Sequence, residues 1–108
     1  MIDFDKIKLT ELPEFKGGTG ITRANMFVDD KIKICRMIFH PGDSTAEHLH
    51  DTSSEIIFVL SGRAKCTLDG EVEILSAGQC HYCPKGHTHS ITCEGEFPLT
   101  VFAIIPEQ

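Results

Sequence analysis

Residues 42–62 read GDSTAEHLHDTSSEIIFVLSG, and residues 78–93 read GQCHYCPKGHTHSITC. In the first stretch His48 and His50 stand two apart. On an extended chain, positions i and i+2 share a face, so both imidazoles project to the same side. Glu55 follows across the polar bend Asp51-Thr52-Ser53-Ser54 and opens the apolar run Ile56 to Leu60. A carboxylate at the head of such a strand costs desolvation energy unless a positive charge offsets it. A divalent ion held with neighbouring imidazoles supplies that charge. His89 in the second stretch, beyond the turn Pro84-Lys85-Gly86, is a fourth candidate. Three imidazoles and one carboxylate suit one divalent transition-metal ion: Zn, Mn, Fe, Ni, Co or Cu. In an octahedral shell they leave two positions for water or substrate.

Outward from these stretches the chain is punctuated at short intervals. Gly17-Gly18, Asp29-Asp30, Pro41-Gly42-Asp43, Ser61-Gly62, Asp69-Gly70, Ala77-Gly78 and Glu94-Gly95 separate pieces rich in Ile, Val, Phe and Thr. Asp69-Gly70 lies between Lys65–Leu68 and Glu71–Leu75 and predicts a two-residue hairpin turn. Leu99 to Ile105 is apolar at every position but Thr100, as expected of a strand buried between two layers. No segment has a helical period, and Leu12–Gly20 has room for one short helical turn. The pattern predicts an all-β sandwich or barrel with little or no helix.

The first stretch has Gly42, five residues, His48-x-His50, four residues, Glu55, six residues, Gly62. The second has Gly78, five residues, Pro84-x-Gly86, two residues, His89, three residues, Cys93. These resemble the two motifs of the cupin superfamily, G(x)5HxH(x)3–4E(x)6G and G(x)5PxG(x)2H(x)3N. Nine of ten marked positions match, and Cys93 stands where the family has Asn. The 15-residue spacer from Arg63 to Ala77 is similar to that of small single-domain type-2 cupins. The resemblance implies a double-stranded β-helix, a jelly-roll barrel, as one domain over residues 1–108. Its motifs would occupy 42–62 and 78–93, with flanking strands in 1–30. It also implies His48, His50, Glu55 and His89 as metal ligands. Family members isomerise, epimerise or decarboxylate small molecules, or are dioxygenases. The expectation is therefore a metal-dependent enzyme using its ion as a Lewis acid on a small sugar or organic acid. The rival expectations are a binding or sensing module without turnover, and an Fe-dependent dioxygenase.

Length and charge bound the remaining possibilities. A chain of 108 residues is the size of one domain. Ten basic against sixteen acidic residues give a net charge of −6. With no Lys/Arg cluster, a nucleic-acid partner is not expected. The longest apolar run, Ile56–Leu60, is far short of the ~20 residues of a membrane helix, and no secretory leader is visible at the N-terminus. Five cysteines, an odd count, read as thiols in a reducing compartment, hence a cytoplasmic expectation. Strands apolar on both sides predict a homodimer with two-fold symmetry.

Three further side chains, His87, Tyr82 and Arg36, are candidate pocket groups, with His81 the alternative to Tyr82. His87 stands two before His89 and suits general acid–base work, or a rim position beside Gly86. Arg36 interrupts the strand Ile32–Phe39 on the side of Ile32, Ile34 and Ile38; facing inward, its fork would bind a carboxylate. In Cys80-His81-Tyr82-Cys83, alternation puts Cys80 and Tyr82 on one side, His81 and Cys83 on the other, with either pair inward. The same alternation separates the two thiols, against a redox or zinc role for the CxxC. Cys35, Cys66 and Cys93 read as small buried hydrophobes, and His40 as a surface turn residue.

Overall fold

The computed structural model describes residues 1–108. Ten strands follow in chain order: β1 (Leu9–Pro13), β2 (Ile21–Val28), β3 (Ile32–Phe39), β4 (His48–Leu49), β5 (Glu55–Ser61), β6 (Arg63–Leu68), β7 (Glu71–Ser76), β8 (Cys80–Cys83), β9 (Thr88–Cys93) and β10 (Leu99–Pro106). One sheet has the order β1-β2-β3-β10-β5-β8, the other β4-β9-β6-β7, and all pairings are antiparallel. The expected all-β fold, a double-stranded β-helix, is what the chain adopts. Helix is confined to two single 3₁₀ turns, Phe4–Lys6 and Phe15–Gly17. The second falls within Leu12–Gly20; the first, where the Asp3 carboxylate accepts from the Asp5 N–H at 3.1 Å, had no periodic signal. No helix is long and apolar enough to cross a membrane.

Alternation along each strand builds the core between the sheets. Cys35, Met37 and Phe39 of β3, Ile57 and Val59 of β5, and Leu99, Val101 and Ala103 of β10 face inward from the larger sheet. Ala64, Cys66, Leu75, Ile91 and Cys93 meet them from the smaller one. Burying large apolar side chains of this kind stabilises by roughly 1.5–3 kcal/mol each. The hairpin turn forms as its sequence predicts: Asp69 and Gly70 both take positive φ (50° and 85°), joining β6 to β7.

The corner from one sheet to the other is made at Gly62, between β5 and β6. Its φ is +80°, and a Cβ there would lie 2.4 Å from the Pro98 carbonyl oxygen. Only glycine fits both constraints.

Two expectations are corrected. β10 is not buried on both faces. Leu99, Val101 and Ala103 are in the core, but Thr100, Phe102 and Ile104 are half-buried on the outer face of the larger sheet. There the Phe4 ring packs edge-on against Phe102, with centroids 5.0 Å apart. Arg36 lies on this same outer face. The inward set of β3 is Cys35, Met37 and Phe39, because register with β10 places Arg36 opposite Phe102. Its guanidinium donates to Asn25 Oδ1 at 3.2 Å and to Asp5 Oδ1 at 2.8 Å.

Candidate metal centre

β4 and β9 are paired so that His48 stands opposite His89. His50 follows directly after β4. Its N–H donates to the His87 carbonyl (3.0 Å), and its carbonyl accepts from the Gly86 N–H (2.6 Å). Thus the main chain of the first stretch clasps the Pro84–Gly86 turn of the second. Glu55 comes from the other sheet, at the head of β5, opposite Cys83 of β8. Glu55 and His89 are buried, at 6% and 1% exposure.

The four side chains converge. His50 Nε2 lies 2.9 Å from Glu55 Oε1 and 2.9 Å from His89 Nε2. His89 Nε2 lies 3.1 Å from Glu55 Oε1 and 3.1 Å from His48 Nε2. All four ligand atoms fall within 4.8 Å of one another. Behind the cluster, His48 Nδ1 is 2.9 Å from the Ala46 carbonyl oxygen, His50 Nδ1 is 3.0 Å from Ser53 Oγ, and His89 Nδ1 is 3.1 Å from His81 Nε2.

This donor set fits a cation. The Ala46 carbonyl only accepts, so His48 carries its hydrogen on Nδ1 and turns a lone pair on Nε2 toward its neighbours. Burial holds the His48 pKa below the ordinary imidazole range, outweighing the bond to Ala46, and so favours that neutral ring. Burial by itself raises the Glu55 pKa, but N–H groups that His50 and His89 can turn toward Oε1 outweigh it and draw the carboxyl down to about 2; with an ion bound, its charge replaces those hydrogens. Lone pairs and a carboxylate at such separations repel unless a positive charge lies among them. Two ligand atoms ~2.1 Å from an ion are about 3.0 Å apart at a right angle. The four separations between neighbouring donors match that value. The cluster could hold a metal ion.

A cavity of about 370 Å³ adjoins the cluster. Phe39, Ile57, Ile91 and Val101 form part of its wall, and Phe15 and Lys16 of the second 3₁₀ turn also line it. The remaining candidates lie elsewhere. Tyr82 is 54% exposed and points away from the core, whereas its neighbour His81 is turned inward. His87 is exposed; its Nδ1 is 2.5 Å from Asp69 Oδ2 on the hairpin turn. Arg36, on the outer face, does not reach the cavity. Cys80 is exposed and Cys83 buried, so the two thiols of the CxxC do not converge. Cys93, in place of the family's Asn, donates its thiol to the Phe97 carbonyl oxygen at 3.1 Å. His40, exposed, meets the Arg23 guanidinium. Glu73, 2.6 Å from His81 Nδ1, was not singled out by sequence, because Glu71-Val72-Glu73 reads as an ordinary solvent-facing strand.

A family profile for the cupin domain matches residues 35–105. The chain is a cupin. An uncharacterised protein of Methanocaldococcus jannaschii is 30% identical over 99 residues, covering 92% of this cupin and 79% of its relative. The mannose-1-phosphate guanylyltransferase of Escherichia coli K12 is 29% identical over 75 residues. That match takes in 69% of this chain, which spans only 16% of the enzyme's length. Among solved structures, a predicted oxalate decarboxylase from Thermotoga maritima superposes with a TM-score of 0.93 at 24% identity, covering 100% of this cupin and 99% of that chain. At that identity the likeness establishes the shared fold.

Proposed function

We propose that this cupin is a metal-dependent enzyme. It binds one divalent transition-metal ion through His48, His50, Glu55 and His89. The convergence of three imidazole nitrogens and one carboxylate oxygen beside a cavity carries the reading. The bound ion would act as a Lewis acid on an oxygen of a small polar substrate, a sugar or organic acid. The guanylyltransferase relatives support the sugar class, since the stretch they share belongs to proteins that act on a sugar phosphate. Glu55 contributes a negative charge that offsets part of the ion's own. The Ala46 carbonyl and the Ser53 hydroxyl hold His48 and His50 in place. Phe39, Ile57 and Val101 exclude water from one side of the cavity, which strengthens electrostatic interactions there.

Two companion readings go with this one. Free thiols at five positions support a reducing, cytoplasmic setting. Exposed Phe58, Leu60 and Tyr82 on the outer face of the larger sheet support a two-fold homodimer.

Metal analysis with native mass spectrometry of freshly purified protein tests the proposal. The expected result is one ion per chain, lost when His48 and His50 are both changed to Ala. Stoichiometric metal in that double variant would refute the ligand assignment. Oxygen uptake by an Fe(II)-loaded protein would shift the reaction class to dioxygenase. A tightly held small molecule released unchanged would indicate a binding module.

A further inference from the structure

His81 is 0% exposed, on the inward side of β8, and belongs to neither the donor cluster nor the cavity wall. Both of its ring nitrogens are nevertheless partnered. Nδ1 lies 2.6 Å from Glu73 Oε1, and Nε2 lies 3.1 Å from Nδ1 of His89. The two rings stack, with centroids 5.3 Å apart and planes inclined by 10°. A line of contacts therefore runs from a half-exposed carboxylate, through one buried imidazole, to the back of another.

The chemistry of the atoms gives this line a direction. An ionised carboxylate only accepts, so the hydrogen between Glu73 and His81 sits on Nδ1 of His81. A neutral His81 then presents a lone pair at Nε2. The hydrogen between His81 and His89 accordingly sits on Nδ1 of His89. With the ion bound, that leaves the Nε2 lone pair of His89 free to meet it among Glu55, His48 and His50, the form a metal ligand requires. The other tautomer of His89 would set two lone pairs against each other at 3.1 Å and put an N–H where the ion belongs.

We infer that Glu73 and His81 are positioning residues that fix the tautomer and orientation of His89, presenting its Nε2 to the metal ion. The inference rests on the metal reading above. It distinguishes His89 from its two partners. His48 is fixed by a backbone carbonyl, which no side-chain substitution removes. His50 meets the Ser53 hydroxyl, which can donate or accept and so leaves the tautomer open. Of the three imidazoles, only His89 meets another imidazole at its Nδ1. Groups standing behind a metal-bound histidine typically matter 10–100-fold in metal affinity.

The test uses Zn(II) and the full chain. Long-range ¹H–¹⁵N spectra of the Zn-loaded protein are expected to show both His81 and His89 with hydrogen on Nδ1. Zn titrations are expected to show a loss of affinity of roughly 10–100-fold for His81→Leu, which removes the acceptor. His81→Gln, whose amide oxygen can accept from His89, should recover part of that loss. Glu73→Ala, at a half-exposed position, should weaken Zn binding by roughly tenfold, and so serves if His81→Leu does not fold. Hydrogen on Nε2 of His81, or unchanged affinity in Glu73→Ala and in a folded His81→Leu, would overturn the positioning role while leaving the metal centre intact. A parent protein that binds no Zn overturns the metal reading, and this inference with it.

Discussion

Alkaline pH probes whether Cys35 and Cys66 serve the fold as neutral, buried thiols. Burial, with the Glu55 carboxylate adding to it, pushes Cys35 from 9.0 up to about 11. Burial, with Glu73 and Glu55 adding to it, pushes Cys66 from 9.0 up to about 12. An unfolded thiol ionises near 9, whereas these two hold their protons longer when folded. Their contribution is therefore intact below pH 9 and is lost as pH rises through 9 toward 11 and 12. At pH 10.5 the ratio of binding polynomials amounts to about 2 kcal/mol for each thiol, or about 4 kcal/mol together. That is comparable with the whole stability of a marginal domain, roughly 5–15 kcal/mol. The perturbation is the double variant Cys35→Ala and Cys66→Ala, and the assay is urea unfolding followed by circular dichroism at about pH 8 and about pH 10.5. Lost packing lowers the variant's stability by an amount independent of pH. Every other titrating group is common to both proteins and cancels in the difference. The parent is expected to lose about 4 kcal/mol more than the variant across this interval. Parallel losses, agreeing within about 1 kcal/mol, would refute the reasoning.

Cys80 is the one exposed thiol of five in the single chain and should alone react promptly with DTNB unless a dimer partner covers it beside Phe58, with all five reacting in denaturant; rapid native reaction at two or more sites contradicts the burial described here. Gly62→Ala should cost roughly 2–4 kcal/mol in urea unfolding, because both the positive φ and the close Pro98 carbonyl oppose a Cβ; a near-neutral substitution would show that the corner can relax. Tyr82→Ala and Arg36→Ala lie on the outer face and should leave metal content unaltered by elemental analysis. Cys80→Ser with Cys83→Ser should do the same, and loss of metal there would revive a role for the CxxC.

Much of the candidate centre was legible because its residues are spaced by local geometry. His48 and His50 share a side through strand periodicity. The Asp69-Gly70 turn follows from the positive φ that such turns need. Arg36 was misplaced for a physical reason: both faces of β3 are apolar, with Ile32, Ile34 and Ile38 on one and Cys35, Met37 and Phe39 on the other. Alternation sorts residues into two sets, but only pairing with β10 reveals which set faces the core. The same ambiguity holds for His81 and Tyr82, and the pairing of β8 with β5 resolves it. Glu73 was invisible because its partner lies across the gap from β7 to β8, a tertiary contact that no spacing encodes. Phe4 capping the outer face of β10 is a contact of the same long-range kind.

The donor cluster joins the two sheets: His48 and His89 come from β4 and β9, and Glu55 from β5. Neither sheet alone carries all four donors. Pairings this distant along the chain form slowly, since long loops close before they gain contacts. The centre therefore comes into being when the sheets dock, and ion capture during refolding would serve as a clock for closure of the barrel.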